Sequence, residues 1–126
     1  MTSNPQKTRT GVDRIRHAAG YSVQGLHSAY RHENAFYQET WLALVLVPLA
    51  FWVGRNWVEV GLLAGSVVMV MVAELLNSAV EATVDRISLD HHPLSKRAKD
   101  YGSAAVFLAL SVCGGLWIAA LWQRFG

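Results

Sequence analysis

Apolar and polar residues fall into long blocks along this chain, and the blocks have helical rather than strand periodicity. Residues 1–10 are polar and carry no apolar repeat, which predicts a disordered tail ahead of a single domain over 11–126. From Gly11 the apolar positions Val12, Ile15, Ala19, Val23, Leu26 and Tyr30 recur every three or four residues, with Arg14, Arg16, Gln24, His27 and Arg31 on the other faces. This is the pattern of a basic amphipathic surface helix over about 11–32, able to lie on a membrane or against the rest of the protein. Gly20 and Gly25 fall inside it and mark a place for a bend.

Three apolar blocks follow. Residues 36–53 form a first span just long enough to cross a bilayer, with Pro48 expected to kink it. Gly54-Arg55-Asn56 reads as a tight turn, and 57–84 as a second span whose Gly61-x-x-x-Gly65 permits close helix packing. Residues 85–100 read as a charged loop, and 101–122 as a third span. The expected fold class is therefore an all-α membrane protein with three transmembrane helices and an N-terminal amphipathic surface helix.

The second span is unusual at its inner end. At 100° per residue, Glu74, Asn77, Glu81 and Asp85 fall within an arc of about 80°, while the other faces are almost purely apolar. One or two polar residues suffice as interhelical glue, but a row of carboxylates in a membrane helix carries a cost that points to function. Depth sharpens this: with ~1.5 Å of rise per residue, Glu74 lies ~25 Å from Trp57 and Glu81 ~36 Å, against a hydrocarbon core of ~30 Å. The row thus runs from where a lipid hydroxyl sits to where a water-soluble cosubstrate can reach.

Composition agrees with a membrane protein: 52% of the 126 residues are hydrophobic and five are Trp. The net charge of +2 leaves no nucleic-acid footprint, but its distribution is lopsided. Five Lys/Arg precede the first span and four lie in 85–100, against Arg55 in the turn and Arg124 at the end. Nine of the eleven on one side make that side cytoplasmic and the C-terminus periplasmic. Trp52, Trp57 and Trp122 then form an outer aromatic belt, with Trp41 and Tyr101 at the inner one. Cys113, the lone cysteine, sits in an apolar block and reads as a packing residue.

The residues exclude several chemistries. Gly20 to His27 has the glycine spacing of a P-loop but lacks its Lys-Ser/Thr, and neither zinc-type His spacing nor a Cys pair is present. His91-His92, adjacent in a loop, points by itself to solvent exposure rather than ligation. What remains is carboxylates (Glu33, Glu39, Glu74, Glu81, Asp85, Asp90, Asp100) beside basic residues (Arg14, Lys96, Arg97, Lys99), all at the inner interface. Hard oxygen donors suit Mg²⁺, and a metal, basic residues and a spare carboxylate compose a phosphoryl-transfer site. The same residues also suit an ion or proton relay in a small transporter subunit, although Val60 to Val72 offers no charged partner to continue one.

Glu74-Leu-Leu-Asn-Ser-Ala-Val-Glu-Ala-Thr-Val-Asp-Arg86 and Leu94-Ser-Lys-Arg-Ala-Lys-Asp-Tyr-Gly-Ser103, with Ala18-Ala-Gly-Tyr-Ser22 and Asn34-Ala-Phe-x-Gln-Glu39, closely resemble the prokaryotic diacylglycerol kinase family from about Arg14 to Gly126. The resemblance implies a homotrimer in the bacterial inner membrane that phosphorylates diacylglycerol from MgATP to give phosphatidic acid, within phospholipid metabolism. It implies Glu74 as the catalytic base with Asn77 supporting it, and Glu33 and Glu81 as the metal-binding carboxylates that also meet ATP. Arg14, Tyr21, Asp90, His91, His92, Lys99 and Asp100 match nucleotide-contacting positions, and Arg14, Ser22, Gln38, Glu74 and Ser103 match lipid-substrate positions. Asp85 extends the same acidic face. Two positions depart from the family pattern: Asp90-His91-His92 stands where Glu-Tyr-His is usual, and Val23 where a Trp commonly follows Tyr-Ser. A sister branch phosphorylates undecaprenol on a similar core, which is the alternative acceptor.

Overall fold

A computed structural model describes residues 10–126, so that all but Thr10 of the expected tail lies outside the described residues. Four helices follow one another: α1 (Gly11–His32), α2 (Asn34–Val53), α3 (Trp57–Ile87) and α4 (Pro93–Phe125). The last three are long and apolar enough to cross a membrane, which makes the chain an all-helical multi-pass membrane protein.

Gly20 and Gly25 do not interrupt α1, which runs unbroken to His32, and its apolar Val12, Ile15 and Val23 stay exposed. A single extended residue, Glu33, separates α1 from α2; its N–H still bonds Ala29 O at 2.8 Å, and its own carbonyl accepts from Tyr37 N–H at 3.0 Å. Glu33 is thereby pinned at the corner between the surface helix and the first membrane helix. Pro48 lies inside α2, which continues as helix to Val53.

At the α2–α3 turn, Asn56 caps α3 by accepting from Glu59 N–H at 3.0 Å. Arg55 pairs with Glu59 at 3.2 Å and donates to Gln123 Oε1 at 2.8 Å, tying the α2–α3 turn to the end of α4. The main buried cluster, Ala50, Val53, Val60, Leu63, Val67 and Trp117, sits at this end of the bundle. Within it the Trp117 indole N–H donates to Leu63 O at 3.2 Å, and Ser66 Oγ donates to the same carbonyl at 2.8 Å and reaches Cys113 Sγ at 3.4 Å. Cys113 is half-buried and unbridged, as its packing role predicts. Aromatic rings meet at both ends of the bundle, Trp52 with Phe125 and Phe51 with Trp57 near the α2–α3 turn, Tyr30 with Tyr37 and Tyr37 with Trp41 near the α1–α2 corner.

The expected loop over 85–100 is much shorter. Only Ser88–His92 is non-helical: α3 carries Asp85, Arg86 and Ile87, and the first two turns of α4 carry Pro93 to Asp100. Local chemistry explains the early start. Pro93 occupies the first turn, where its missing N–H costs nothing; His92 Nδ1 accepts from Leu94 N–H at 3.0 Å; and Lys96 pairs with Asp100 one turn on at 2.6 Å. Polar composition had been read as loop where capping and an i,i+4 pair make helix.

Gly61 and Gly65 do not pack closely within the chain, since a Cβ at either would meet open space. They line an open apolar groove of about 600 Å³ between α3 and α4 with Leu62, Met69, Ala105 and Leu108. The close interhelical contact lies instead at Gly102, whose missing Cβ would collide with Asn77 Oδ1.

Candidate active site

α3 presents the acidic row, and its neighbours decide what the row can do. Glu39 on α2 meets Glu74 side chain to side chain, and Glu33, Asn77 and Glu81 all lie within electrostatic reach of Glu74. Asn77 Nδ2 donates to Glu81 Oε1 at 3.2 Å, the i,i+4 geometry the row predicts. Two oxygens in this group, Glu39 Oε1 and Asn77 Oδ1, are buried without a hydrogen-bond partner. Among the described residues no salt bridge reaches Glu33, Glu39, Glu74 or Glu81. Four carboxyl groups gathered near a bilayer without a paired cation repel one another and strongly favour an added positive charge.

Beyond the row, the short connection folds into a second, polar cleft. Asp85, Ser88, Asp90, His91, His92, Ser95, Lys96, Lys99 and Asp100 line about 280 Å³. Lys99 Nζ pairs with Asp85 Oδ1 at 2.8 Å, joining α3 to α4 across the connection. Lys99 belongs to the polar turns ahead of the apolar stretch of α4, and its hydrogen bond to Asp85 holds its pKa above the ordinary lysine value. It also feels Glu81, so the polar cleft lies within electrostatic reach of the acidic cluster. Ser88 Oγ accepts from Asp90 N–H at 3.0 Å, and the His92 cap fixes the other end, so His91 is presented between two anchored neighbours.

A third hollow, of about 530 Å³, lies beneath α1. Ser22, Leu26, Ala29 and Glu33 face Leu75, Ser78 and Ala79 of α3 across it, giving a mixed polar and apolar lining. Ser22 Oγ is occupied by Ala18 O at 2.9 Å.

The expected residues are therefore brought together unevenly. Glu33, Glu74, Asn77 and Glu81 gather as one cluster, and Asp85, Asp90, His91, His92, Lys99 and Asp100 as the adjoining cleft. Ser22 borders Glu33. Arg14, Gln38 and Ser103 are exposed on α1, α2 and α4 and join neither group within the chain, and Tyr21 is exposed on α1. Glu39 was visible in the sequence only as one of seven interfacial carboxylates; its meeting with Glu74 across two helices carries no sequence periodicity. The roles of Gly102 and of His92 as a cap were likewise missed, although the pair His92-Pro93 holds a usable signal, a capping-competent side chain before a helix-starting proline.

A group of at least three His, Cys, Asp or Glu side chains closed around one point would mark a preformed metal cage; none occurs among the described residues. The donors present are nonetheless carboxylate and carboxamide oxygens, two of them buried and unpartnered. That set fits Mg²⁺, which takes one or two protein carboxylates and completes its shell with phosphates and water.

An all-helical multi-pass membrane protein with an acidic cluster at the end of a membrane helix, beside a polar cleft that holds Lys96 and Lys99, has the makings of a membrane-embedded phosphotransferase. The prokaryotic diacylglycerol kinase family model matches residues 20–121. The chain is 50% identical to the diacylglycerol kinase of Haemophilus influenzae over 108 residues, 86% of this chain and 92% of that one. It is 48% identical to that of Pseudomonas aeruginosa over 121 residues (96% and 98%), and 49% identical to that of Escherichia coli K12 over 117 residues (93% and 96%). The chain belongs to the prokaryotic diacylglycerol kinase family.

Proposed function

We propose that this protein is an ATP-dependent diacylglycerol kinase that transfers the γ-phosphoryl group of ATP to the free hydroxyl of 1,2-diacylglycerol, giving phosphatidic acid and ADP. What supports the reading is an acidic cluster on a membrane-length helix within electrostatic reach of Lys99, which lines the adjoining polar cleft, in a chain about half identical to diacylglycerol kinases.

Glu74, nearest the hydrocarbon, is placed for the lipid: it takes the hydroxyl proton as the lipid oxygen bonds to phosphorus and the bridging bond to ADP breaks. Glu39 beside it holds its orientation, and Asn77 fixes Glu81 through its amide. Glu33 and Glu81 would hold Mg²⁺, which would supply charge neutralisation for the transferring phosphoryl group. Lys99 adds a fixed ammonium, held by Asp85, and Arg14, Tyr21, Asp90, His91, His92 and Asp100 complete the nucleotide's surroundings. Ser22, Gln38 and Ser103 face the lipid. Residues 11–126 act as one kinase domain.

The cytoplasmic side is that of α1 and the 85–100 segment, with the C-terminus periplasmic, in the bacterial inner membrane. The functional unit is a homotrimer, as the family resemblance implies: three spans leave the polar stripe of α3 open to lipid on one side, and the apolar groove beside Gly61 and Gly65 gives a second copy a place to pack.

The experiment is a side-by-side assay in mixed micelles with radiolabelled ATP. A higher kcat/KM for diacylglycerol than for undecaprenol is expected; preference for the polyprenol overturns the acceptor and leaves the kinase mechanism, and ATP consumption indifferent to either lipid overturns both.

A further inference from the structure

Of the glycines inside α1, α3 and α4, Gly102 alone meets any neighbour within 4 Å of where a Cβ would stand, and that neighbour belongs to the acidic cluster. The built Cβ would overlap Asn77 Oδ1, lie 3.2 Å from Asn77 Cγ and 3.5 Å from Asn77 Cα. Asn77 Oδ1 is buried there without a hydrogen-bond partner, while Nδ2 donates to Glu81 Oε1 at 3.2 Å. Carboxylates only accept, so the amide can face Glu81 in one orientation alone, with its oxygen turned toward α4.

We infer that Gly102 is a positioning residue for phosphotransfer: the space left by its missing side chain seats the Asn77 carboxamide, and that seat aims Nδ2 at Glu81. A methyl here would sit at ordinary contact distance from Asn77 Cα, so the overlap falls on the amide of a short side chain with little length to give. The amide has to rotate about χ1, and rotation carries Nδ2 away from the Glu81 carboxylate. The effect passes from α4 to Glu81 without Gly102 touching substrate. The inference rests on the proposed role of Glu81 at the metal, and its test separates the two.

The test is a double-mutant cycle on the full chain in detergent-lipid micelles: wild type, Gly102→Ala, Asn77→Ser and the double variant, with Gly114→Ala as an alanine placed in open space. The readouts are kcat, the Mg²⁺ concentration giving half-maximal rate, and the thermal midpoint. Gly102→Ala is expected to lower kcat on the order of a hundredfold, the cost of roughly 1 Å of misplacement. It should also raise the Mg²⁺ requirement about tenfold, as loss of support around a ligand does. Serine leaves room for the methyl, so the double variant should match Asn77→Ser within about twofold in kcat, and its thermal midpoint should match as well. Wild-type kcat and Mg²⁺ requirement in Gly102→Ala, or equal losses from Gly102→Ala in both backgrounds, would overturn the inference. If Gly102→Ala does not fold, recovery of folding in the double variant supports the contact and failure to recover overturns it. Glu81→Gln with an unchanged Mg²⁺ requirement removes the metal reading alone, because non-additivity of kcat and thermal midpoint tests the contact independently.

Discussion

Lys99 Nζ on α4 lies 2.8 Å from Asp85 Oδ1 on α3, so the two helices are linked by charge where the chain turns back toward the membrane. Both side chains are about half exposed, at 44% and 47%, and the pair therefore contributes little to folding. Its use is to fix an ammonium beside Glu81. Asp85→Asn should leave the thermal midpoint within a few degrees of wild type while raising KM for ATP. Lys99→Met should raise it further, because the ammonium itself is lost. Calorimetry and initial rates on both variants check this; a wild-type KM for ATP in Asp85→Asn would remove the positioning role of Asp85.

Glu74 and Glu81 are expected to fail differently. Glu74→Gln keeps shape and removes the base, so kcat should fall by roughly 10²- to 10⁴-fold with MgATP affinity near wild type. Glu81→Gln removes a metal ligand, weakening MgATP binding and raising the Mg²⁺ requirement. Nucleotide affinity and kcat measured in the same detergent decide the matter, and an active Glu74→Gln enzyme leaves the reaction without its proposed base.

Glu39 tests whether the carboxyl beside Glu74 matters for the chemical step. Glu39→Gln should depress kcat by about tenfold or more while ATP affinity holds, since the residue meets Glu74 and is absent from the polar cleft proposed for the nucleotide. A parallel rise in KM for ATP would assign it to nucleotide binding instead.

Trp117 is a stability residue remote from the chemistry. Trp117→Phe removes the indole hydrogen bond to Leu63 O and part of a buried side chain, and should cost ~1–3 kcal/mol in an unfolding titration. Substrate KM values should not move.

Topology is the fifth expectation. Reporter fusions after Gly126 should behave as periplasmic, and fusions near Lys96 as cytoplasmic, because nine of eleven Lys/Arg flank the same side. Cytoplasmic behaviour at Gly126 would reverse the orientation.

The sequence carried what a single helix can carry. Apolar runs located the spans, and 3.6-residue periodicity placed Glu74, Asn77, Glu81 and Asp85 on one face, where Asn77 and Glu81 are indeed bonded. Relationships between helices were invisible to it. Glu39 sits 35 positions before Glu74 and Gly102 sits 25 after Asn77, separations with no periodic signature, and only packing brings each pair together. The misread start of α4 has a different cause: Lys96 and Asp100 read as loop because they are charged, whereas one turn of spacing makes them a helix-stabilising pair.

α3 is one unbroken rod of 31 residues that starts at the Asn56 cap and Trp57, and at ~1.5 Å per residue it is ~46 Å long. A rod of fixed length converts membrane thickness into reach. Where the bilayer thins, the acidic end stands further out of the hydrocarbon; where it thickens, Glu74 sinks, and tilt corrects only part of the difference. The height at which a lipid's alcohol group floats thus becomes a variable the enzyme samples, so turnover at constant substrate should pass through an optimum as the host lipids' acyl chains are lengthened.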